Sequence, residues 1–287
     1  MAHPQASPPT PAALPSDVLS NPSPNIAVNR VDFVNTALPQ YADKYAVILD
    51  NVLSSDECKL LIHAAETSAT QGWERAMINV GGGRQQLMID ERNCGRVMWD
   101  SHEVVSKIWR RIEGVAAVQP IRRLEHVANI TGNGPAKRDE VWEFTRLNER
   151  MRFLKYEGGE YFHPHCDGSY ETPDGRERSY FTLHLYLNNA DRPTGTELAK
   201  VLQRDPATCA IYGLVGGATT FHSYDMLKQF DVWPKAGRVL LFQHRDLLHS
   251  GDDVVQGVKY TMRTDLMYGR EDKESESKGE ISANGGT

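Results

Sequence analysis

The chain lacks several features that define large classes of proteins. No apolar run approaches the ~18 residues that span a bilayer, so we expect no membrane partner. Basic residues are not in excess, since 32 Lys and Arg stand against 38 Asp and Glu, and the net charge of −6 disfavours nucleic-acid binding. The four cysteines lie far apart with no C-x-x-C pair, which excludes a disulfide scaffold or a Cys-based zinc finger and suits a reducing compartment.

Both ends of the chain have the composition of solvated segments. Seven of the 15 prolines fall within the first 24 residues, and no Lys or Arg precedes Arg30. This segment has neither the basic start and apolar stretch of a secretory signal nor the arginines of a transit peptide, so we expect a cytoplasmic protein. We predict a disordered Pro-rich segment over 1–29, one folded domain over 30–270 and a disordered tail over 271–287.

Helical signals come first along the folded part, and strand signals follow. A strand is predicted over Tyr45–Leu49, a helix capped by Ser54 or Ser55 runs to about Thr67, and a second helix covers 101–113. Short alternating runs follow after residue 150: Arg152–Tyr156, Tyr180–Leu187, Ala218–His222, Gln229–Trp233, Arg238–Gln243 and Lys259–Met267. This order favours a mostly β domain with flanking helices (α+β), in which helices pack outside a β-sandwich or barrel.

One short motif has the spacing of a metal site. His165 and Asp167 flank Cys166, and residues at i and i+2 on extended backbone project to the same side. With one more histidine they form a two-His, one-carboxylate site, which is typical of non-haem Fe(II) oxygen chemistry. The triplet alone is weak evidence for a metal site, because so short a motif also occurs by chance. A second H-x-D lies at 244–246, and we expect it to be only a turn that ends a strand. Cys166 itself is expected to be a small buried residue.

The third ligand should come from a later strand, and His249 is the candidate. Ten residues beyond it stands Lys259, on a predicted strand where Lys259, Thr261, Arg263 and Asp265 share one face. A Lys or Arg inside a barrel is costly to bury unpaired, and a bound dicarboxylate would supply the missing partner.

Taken together, these pieces resemble the Fe(II)- and 2-oxoglutarate-dependent oxygenases, and within them the prolyl 4-hydroxylase-like branch. The matching pieces, in chain order, are RFLKYEGGEYF at 152–162, HCD at 165–167, YLN at 186–188, GGATTF at 216–221, LLF at 240–242, and His249 with Lys259. The resemblance covers about residues 40–270 and implies a double-stranded β-helix (jelly-roll, cupin-like) core over about 150–268.

The resemblance also implies cofactors and residue roles. His165, Asp167 and His249 would hold Fe(II), and 2-oxoglutarate and O2 would be cosubstrates. Lys259 would pair with the distal carboxylate of 2-oxoglutarate, which Tyr156 and Tyr186 would approach. Thr182 and His184, on the strand face of Tyr186, are further candidates for the pocket wall.

Two departures from the family pattern leave alternatives open. The stretch 191–212 is an insertion, either a lid or an oligomer contact, and it favours a small-molecule substrate over a peptide. Arg263 shares the face of Lys259 and is an alternative anchor for 2-oxoglutarate. If Lys259 is the anchor, Arg263 is free for a substrate carboxylate and Arg152 could join it, which leads to the hypothesis that the substrate is anionic.

The predicted function is oxidation of an unactivated C–H bond of a small molecule with release of succinate and CO2. The alternatives are a protein or peptide prolyl hydroxylase of the same superfamily and a cupin-like metal-binding protein without oxygenase activity. A glycine-containing stretch, Asn79–Arg84, is expected to form a flexible loop at the pocket mouth, and Arg92 and Arg96 either reach the active site or form surface salt bridges. The substrate and the oligomeric state stay open.

Overall fold

The computed structural model describes residues 14–15, 17–20, 25–81 and 84–271. Most of the predicted N-terminal segment, and the tail from 272 onward, lie outside the described residues. The first strand begins at Ala27, ahead of the predicted boundary at residue 30. None of the helices in the described part is both long and apolar enough to cross a membrane.

Strands dominate the described residues. They are β1 Ala27–Arg30, β2 Ala46–Asp50, β3 Glu74–Arg75, β4 Ile78–Asn79, β5 Gln85–Gln86, β6 Arg92–Asn93, β7 Gly95–Asp100, β8 Arg123–Leu124, β9 Trp142–Leu147, β10 Arg150–Glu157, β11 Tyr161–His165, β12 Glu177–Tyr186, β13 Ala190–Asp191, β14 Leu214–Gly216, β15 Thr219–His222, β16 Gln229–Val232, β17 Val239–Gln243, β18 His249–Gly251, β19 Val254–Gln256 and β20 Val258–Arg270. The helices are α1 Ser55–Ser68, α2 His102–Ile112, α3 Ala128–Thr131, α4 Asn133–Lys137, α5 Gly195–Leu202 and α6 Pro206–Cys209, with 3₁₀ turns at Phe33–Asn35, Pro39–Tyr41 and Gln119–Ile121.

The strands form two principal sheets. The larger has the order β1-β2-β17-β12-β20-β10-β7-β3, with β9 pairing the far end of β20 and β8 pairing β9. The smaller has the order β16-β15-β18-β11-β6. Two further groups, β13-β14-β19 and the β4-β5 hairpin, lie beside them. The fold is the predicted mostly β class, a double-stranded β-helix with helices outside it.

Successive side chains of β12 alternate between the apolar core outside the larger sheet and the candidate site inside it. Phe181, Leu183 and Leu185 are fully buried in one apolar cluster with residues of α1 and α2. Successive side chains on a strand point to opposite faces, so Thr182, His184 and Tyr186 point the other way. The larger sheet therefore carries the helices on one face and the candidate site on the other.

Helix α1 begins at a capping box. The Ser54 hydroxyl accepts a hydrogen bond from the Glu57 N–H at 3.2 Å, and the Glu57 carboxylate accepts one from the Ser54 N–H at 2.8 Å. The same carboxylate pairs with Arg111 of α2 at 2.5 Å. The cap thus satisfies exposed backbone donors and also ties the two outer helices together.

The predicted elements agree with the structure, with small differences at their ends. The strand predicted at Tyr45–Leu49 is β2 and the two predicted helices are α1 and α2. The last predicted strand is longer than expected, since β20 runs to Arg270. Strands β7 and β9 were not predicted, although three of the six residues in each are apolar.

The insertion 191–212 folds into α5 and α6, joined to the body through β19. The Gln256 side chain donates to the carbonyls of Cys209 and Tyr212, at 2.9 and 2.6 Å. None of the described residues of this insertion lines either of the two cavities beside the candidate site.

We predict that Ser54→Ala lowers the free energy of unfolding by about 1 kcal/mol, because the first turn of α1 loses its side-chain acceptor. Asp56→Ala, which removes only an exposed ion pair with Lys59, is the matched control and should change stability by less than about 0.5 kcal/mol. Urea denaturation of both variants measures this, and equal effects would contradict the role of the cap.

Candidate active site

Two histidines and one aspartate converge between the two sheets. His165 ends β11 and His249 begins β18, and the antiparallel pairing of these strands puts the two residues directly opposite each other. Asp167 follows His165 by two residues. One possible ligand atom from each of the three lies within 4.8 Å of the others. The structure thus brings together the three residues that the sequence predicted as ligands.

Backbone carbonyls orient both imidazoles. Nδ1 of His165 lies 2.8 Å from the carbonyl oxygen of His163, and Nδ1 of His249 lies 3.0 Å from that of Leu247. A carbonyl only accepts, so each Nδ1 carries the proton and each Nε2 keeps its lone pair. The Nε2 atoms lie 3.5 and 3.8 Å from the carboxylate oxygens of Asp167, which places the free lone pairs at the point of convergence.

Aromatic rings hold the two imidazoles in place. Phe162 stacks on the ring of His165 at 3.6 Å, and Phe242 meets the ring of His249 edge-on at 4.7 Å. Burial, and next the neighbouring His165, lowers the pKa of His249 to about 3, so its imidazole is neutral, as a metal ligand must be.

The carboxylate of Asp167 is fixed from two sides. The Thr182 hydroxyl donates to Oδ2 and the Arg263 guanidinium to Oδ1, each at 2.6 Å. Burial alone would raise the pKa of this carboxyl, but Arg263, with His249 and His165, outweighs burial and holds the pKa well below its ordinary value. The site therefore presents two imidazole Nε2 atoms and one anionic carboxylate on one side. This donor set leaves positions of an octahedral ion open and fits Fe(II).

Lys259 lies in a buried pocket beside the three candidate ligands. Its side chain is 1% exposed, and no carboxylate within the described residues forms an ion pair with it. The ammonium lies 5.1 Å from the ring centre of Tyr156 and 6.0 Å from that of Tyr186. Burial lowers the pKa of Lys259 to about 8. A cation held among aromatic rings without an anion fits the distal carboxylate of 2-oxoglutarate.

Gly217 makes room for that lysine. Its φ is +70°, which side chains rarely adopt, and a Cβ at this position would meet Cδ of Lys259 at 3.0 Å. The GGATTF stretch is therefore more than a turn, since its second glycine forms part of the wall around Lys259.

The remaining predicted pocket residues occupy the same inner face. In the sheet register, Lys259 pairs with Tyr156, and Arg263 lies between Arg152 on β10 and His184 on β12. Tyr156, Thr182 and His184 line the pocket with Lys259 and Arg263. The hydroxyl of Tyr186 instead donates to the carbonyl of Val232 at 3.3 Å, so only the ring of Tyr186 faces the ammonium.

His184 carries an unused hydrogen-bonding atom into this pocket. Its Nε2 is buried and has no hydrogen-bond partner within the described residues. Burial, and next the positive charges of Lys259 and Arg263, holds the pKa of His184 well below its ordinary value. A neutral, unpartnered imidazole in the wall of the pocket is available to a bound molecule.

A larger cavity of about 760 Å³ opens from the candidate ligands His165 and Asp167 toward solvent. His165, Asp167 and Arg263 form its inner end, and the β4-β5 hairpin contributes Ile78, Asn79 and Gln85 to its wall. The predicted mouth loop at Asn79–Arg84 is thus part of a hairpin, although residues 82–83 lie outside the described part. The expectation that Cys166 is buried is wrong, since Cys166 is exposed beside this cavity.

Sequence reasoning missed several contributors to the site. Phe162 and Phe242 lie within the matching stretches, but nothing in the sequence shows that they contact the imidazoles. Asp265 was placed on the correct strand face, but not as the partner of Arg152 at 3.0 Å and Arg263 at 3.5 Å. His244, from the second H-x-D, is buried 3.8 Å from Asp265 and is not among the three converging residues.

Comparison with known proteins agrees with this geometry. Residues 151–264 match the model of the 2OG-Fe(II) oxygenase superfamily, and this segment contains all three candidate ligands and Lys259. Among curated proteins none matches.

Several solved structures show distant similarity. One is the viral collagen prolyl hydroxylase of Paramecium bursaria Chlorella virus-1, with 20% identity over 79% of this chain and 97% of that chain, and a TM-score of 0.45. A Pseudomonas putida prolyl-4-hydroxylase is 14% identical over 82% and 99%, with a TM-score of 0.47. The epimerase SnoN from nogalamycin biosynthesis is 14% identical over 89% and 91%, with a TM-score of 0.39. Similarity at this level assigns no substrate.

The chain therefore contains a 2OG-Fe(II) oxygenase segment, residues 151–264, which includes the three converging residues. It is a 2-oxoglutarate-dependent non-haem iron dioxygenase, and its cofactor and cosubstrates are Fe(II), 2-oxoglutarate and O2. The cupin-like alternative without oxygenase activity is therefore not supported.

We predict that His165→Ala and His249→Ala each lose Mn(II) binding, because each removes one of three ligands. His63→Ala, on the exposed face of α1, is the matched control and should bind as the unsubstituted protein does. Electron paramagnetic resonance of free Mn(II) during titration measures this. Retained binding in either ligand variant would contradict the assignment.

We predict that 2-oxoglutarate affinity falls as the pH rises above about 8, approaching tenfold per pH unit, because the deprotonated Lys259 no longer attracts a carboxylate. Lys259→Arg stays charged and should show a flat profile, and Lys259→Met should bind weakly at every pH. Anaerobic calorimetry from pH 7 to 9.5 measures this, and a pH-independent affinity in the unsubstituted protein would refute it.

Proposed function

We propose that the enzyme oxidises an unactivated C–H bond of a small, anionic molecule, with release of succinate and CO2. The observation that carries this proposal is the 760 Å³ cavity that opens on His165 and Asp167, with four arginines in its lining beside the acidic residues Glu91, Asp167, Glu171 and Asp265. Its volume is in the range of small-molecule sites, and guanidinium groups in its wall favour an anion.

In this proposal the inner pocket binds 2-oxoglutarate. Lys259 pairs with the distal carboxylate, and Tyr156 and His184 line the space beside it. Arg263, the alternative anchor, already holds Asp167 at 2.6 Å and lies near Asp265, so of these two candidate anchors Lys259 is the one that stays free for the cosubstrate. Fe(II) held by His165, Asp167 and His249 supplies, with 2-oxoglutarate and O2, the oxidising chemistry.

The chain itself contributes orientation and exclusion of water. Arg263 and Thr182 keep Asp167 ionised and fix the direction of its two oxygens. Phe162 and Phe242 pack against the imidazoles and cover them with apolar surface. These contacts hold the ligand atoms in place before any cosubstrate binds, which reduces the reorganisation that catalysis requires.

A peptide substrate, as in the prolyl 4-hydroxylase-like branch that the motifs resemble, is the second candidate. Exposed apolar side chains follow the hairpin region beside the cavity, namely Met77, Leu87 and Ile89, with 39 to 48% of their surface accessible. Such a surface suits contact with an extended peptide.

A reducing compartment such as the cytoplasm is the proposed location. The four cysteines are free thiols, and two of them, Cys58 and Cys94, are fully buried.

The test is 2-oxoglutarate turnover by the Fe(II)-loaded protein, measured as succinate release with two substrate panels. One contains small carboxylates and phosphate esters, and the other contains proline-containing peptides. We expect small anions to raise succinate release above the substrate-free rate, His165→Ala to abolish it and His63→Ala to retain it. Stimulation by peptides alone would overturn the small-molecule proposal in favour of the second candidate.

A further inference from the structure

Four arginines line the outer cavity, and two of them are already neutralised. Arg263 pairs with Asp167 at 2.6 Å and lies 3.5 Å from Asp265. Arg152 pairs with Asp265 at 3.0 Å. These two partly buried guanidiniums and two buried carboxylates form one network at the inner end of the cavity, and the network has no net charge.

The other two arginines have no carboxylate partner within the described residues. Arg92 is 9% exposed, its Nε donates to Sγ of Cys94 at 3.4 Å, and its guanidinium lies 4.6 Å from the ring centre of Phe162. Arg96 is 7% exposed and donates to two neutral acceptors, Oε1 of Gln85 at 3.2 Å and the carbonyl of Met77 at 3.5 Å. The exposed Glu74 lies opposite Arg96 on β3 and acts on its charge, but the two side chains form no ion pair.

The two unpaired guanidiniums come from opposite sheets. Arg92 lies on β6, beside Phe162 of β11, and Arg96 lies on β7, beside Leu154 of β10. Burial, and next the charges of Arg92 and Arg152, lowers the pKa of Arg96, so the three guanidiniums repel one another. Two nearly buried cations without an anion are costly unless a ligand neutralises them.

We propose that Arg92 and Arg96 bind an oxyanion group of the substrate, a carboxylate or a phosphate monoester, in the wall of the outer cavity. This inference rests on the proposed function and assigns the anion to residues other than Arg152 and Arg263. Guanidinium forks suit either group, because each offers parallel N–H donors to two oxygens. Anchoring the anion at the wall leaves the rest of the substrate to extend toward His165 and Asp167.

The test uses the full chain loaded anaerobically with Mn(II) and 2-oxoglutarate, which binds but does not turn over. Inorganic phosphate and benzoate are the probes for the two oxyanion classes. Paramagnetic relaxation of the phosphate ³¹P and benzoate ¹H signals reports both affinity and proximity to the metal. We expect saturable enhancement for at least one probe, and the probe that binds identifies the class.

We expect Arg96→Gln to weaken that binding by at least about tenfold, since a hydrogen-bonded charge partner is lost. Arg96→Lys keeps the charge but loses the pair of parallel N–H donors, so its probe affinity should lie between those of Arg96→Gln and the unsubstituted protein. Arg92→Gln should behave like Arg96→Gln. Arg110→Gln removes an equal charge from the exposed face of α2 and is the matched control, with unchanged binding expected.

Two outcomes overturn the inference while leaving the proposed function intact. One is protein that binds Mn(II) and 2-oxoglutarate but neither probe, and the other is equal probe affinity in folded Arg96→Gln, Arg96→Lys and unsubstituted protein. Failure to bind Mn(II) or 2-oxoglutarate at all would overturn the proposed function, and the inference with it.

Discussion

Strand β20 carries three charged side chains on one face toward the interior, where Lys259 and Asp265 are buried and Arg263 is 19% exposed. Lys259, Arg263 and Asp265 are spaced so that all three point inward, and β20 is flanked on both sides by other strands of the larger sheet. Burying a charge without a partner is expensive, so the residues around this strand must neutralise each one.

The three charged side chains of β20 have different partners, and each partner gives its part of the interior a different role. Asp265 forms an ion pair with Arg152, and Arg263 forms one with Asp167. The second ion pair keeps Asp167 ionised and oriented beside the two imidazoles. Lys259 faces aromatic rings and the space beside Gly217, and Asp252 acts on its charge without forming an ion pair with it. Its ammonium forms no ion pair within the described residues, and this is the feature that supports the proposal of a cosubstrate pocket here.

Motif order explains why much of the site was predictable. His165 and Asp167 are close in sequence, and strand geometry alone puts them on one side. His249 and Lys259 follow at a spacing that the family resemblance recognised, and alternation along β20 placed Arg263 and Asp265 with Lys259. For Arg92 and Arg96 the sequence allowed two interpretations, active-site residues or surface salt bridges. Their position depends on how the short strands β6 and β7 join two different sheets.

The sequence by itself determined the class of fold, the candidate ligands and the face of β20 that carries charge, because local periodicity and short spacing decide these. Only the tertiary structure decided which charges are paired. Whether Arg263 meets Asp167, and whether Arg96 meets any carboxylate, depends on strands separated by many residues being brought side by side. Ion pairing acts over a few ångströms in space, and distance along the chain carries no information about it.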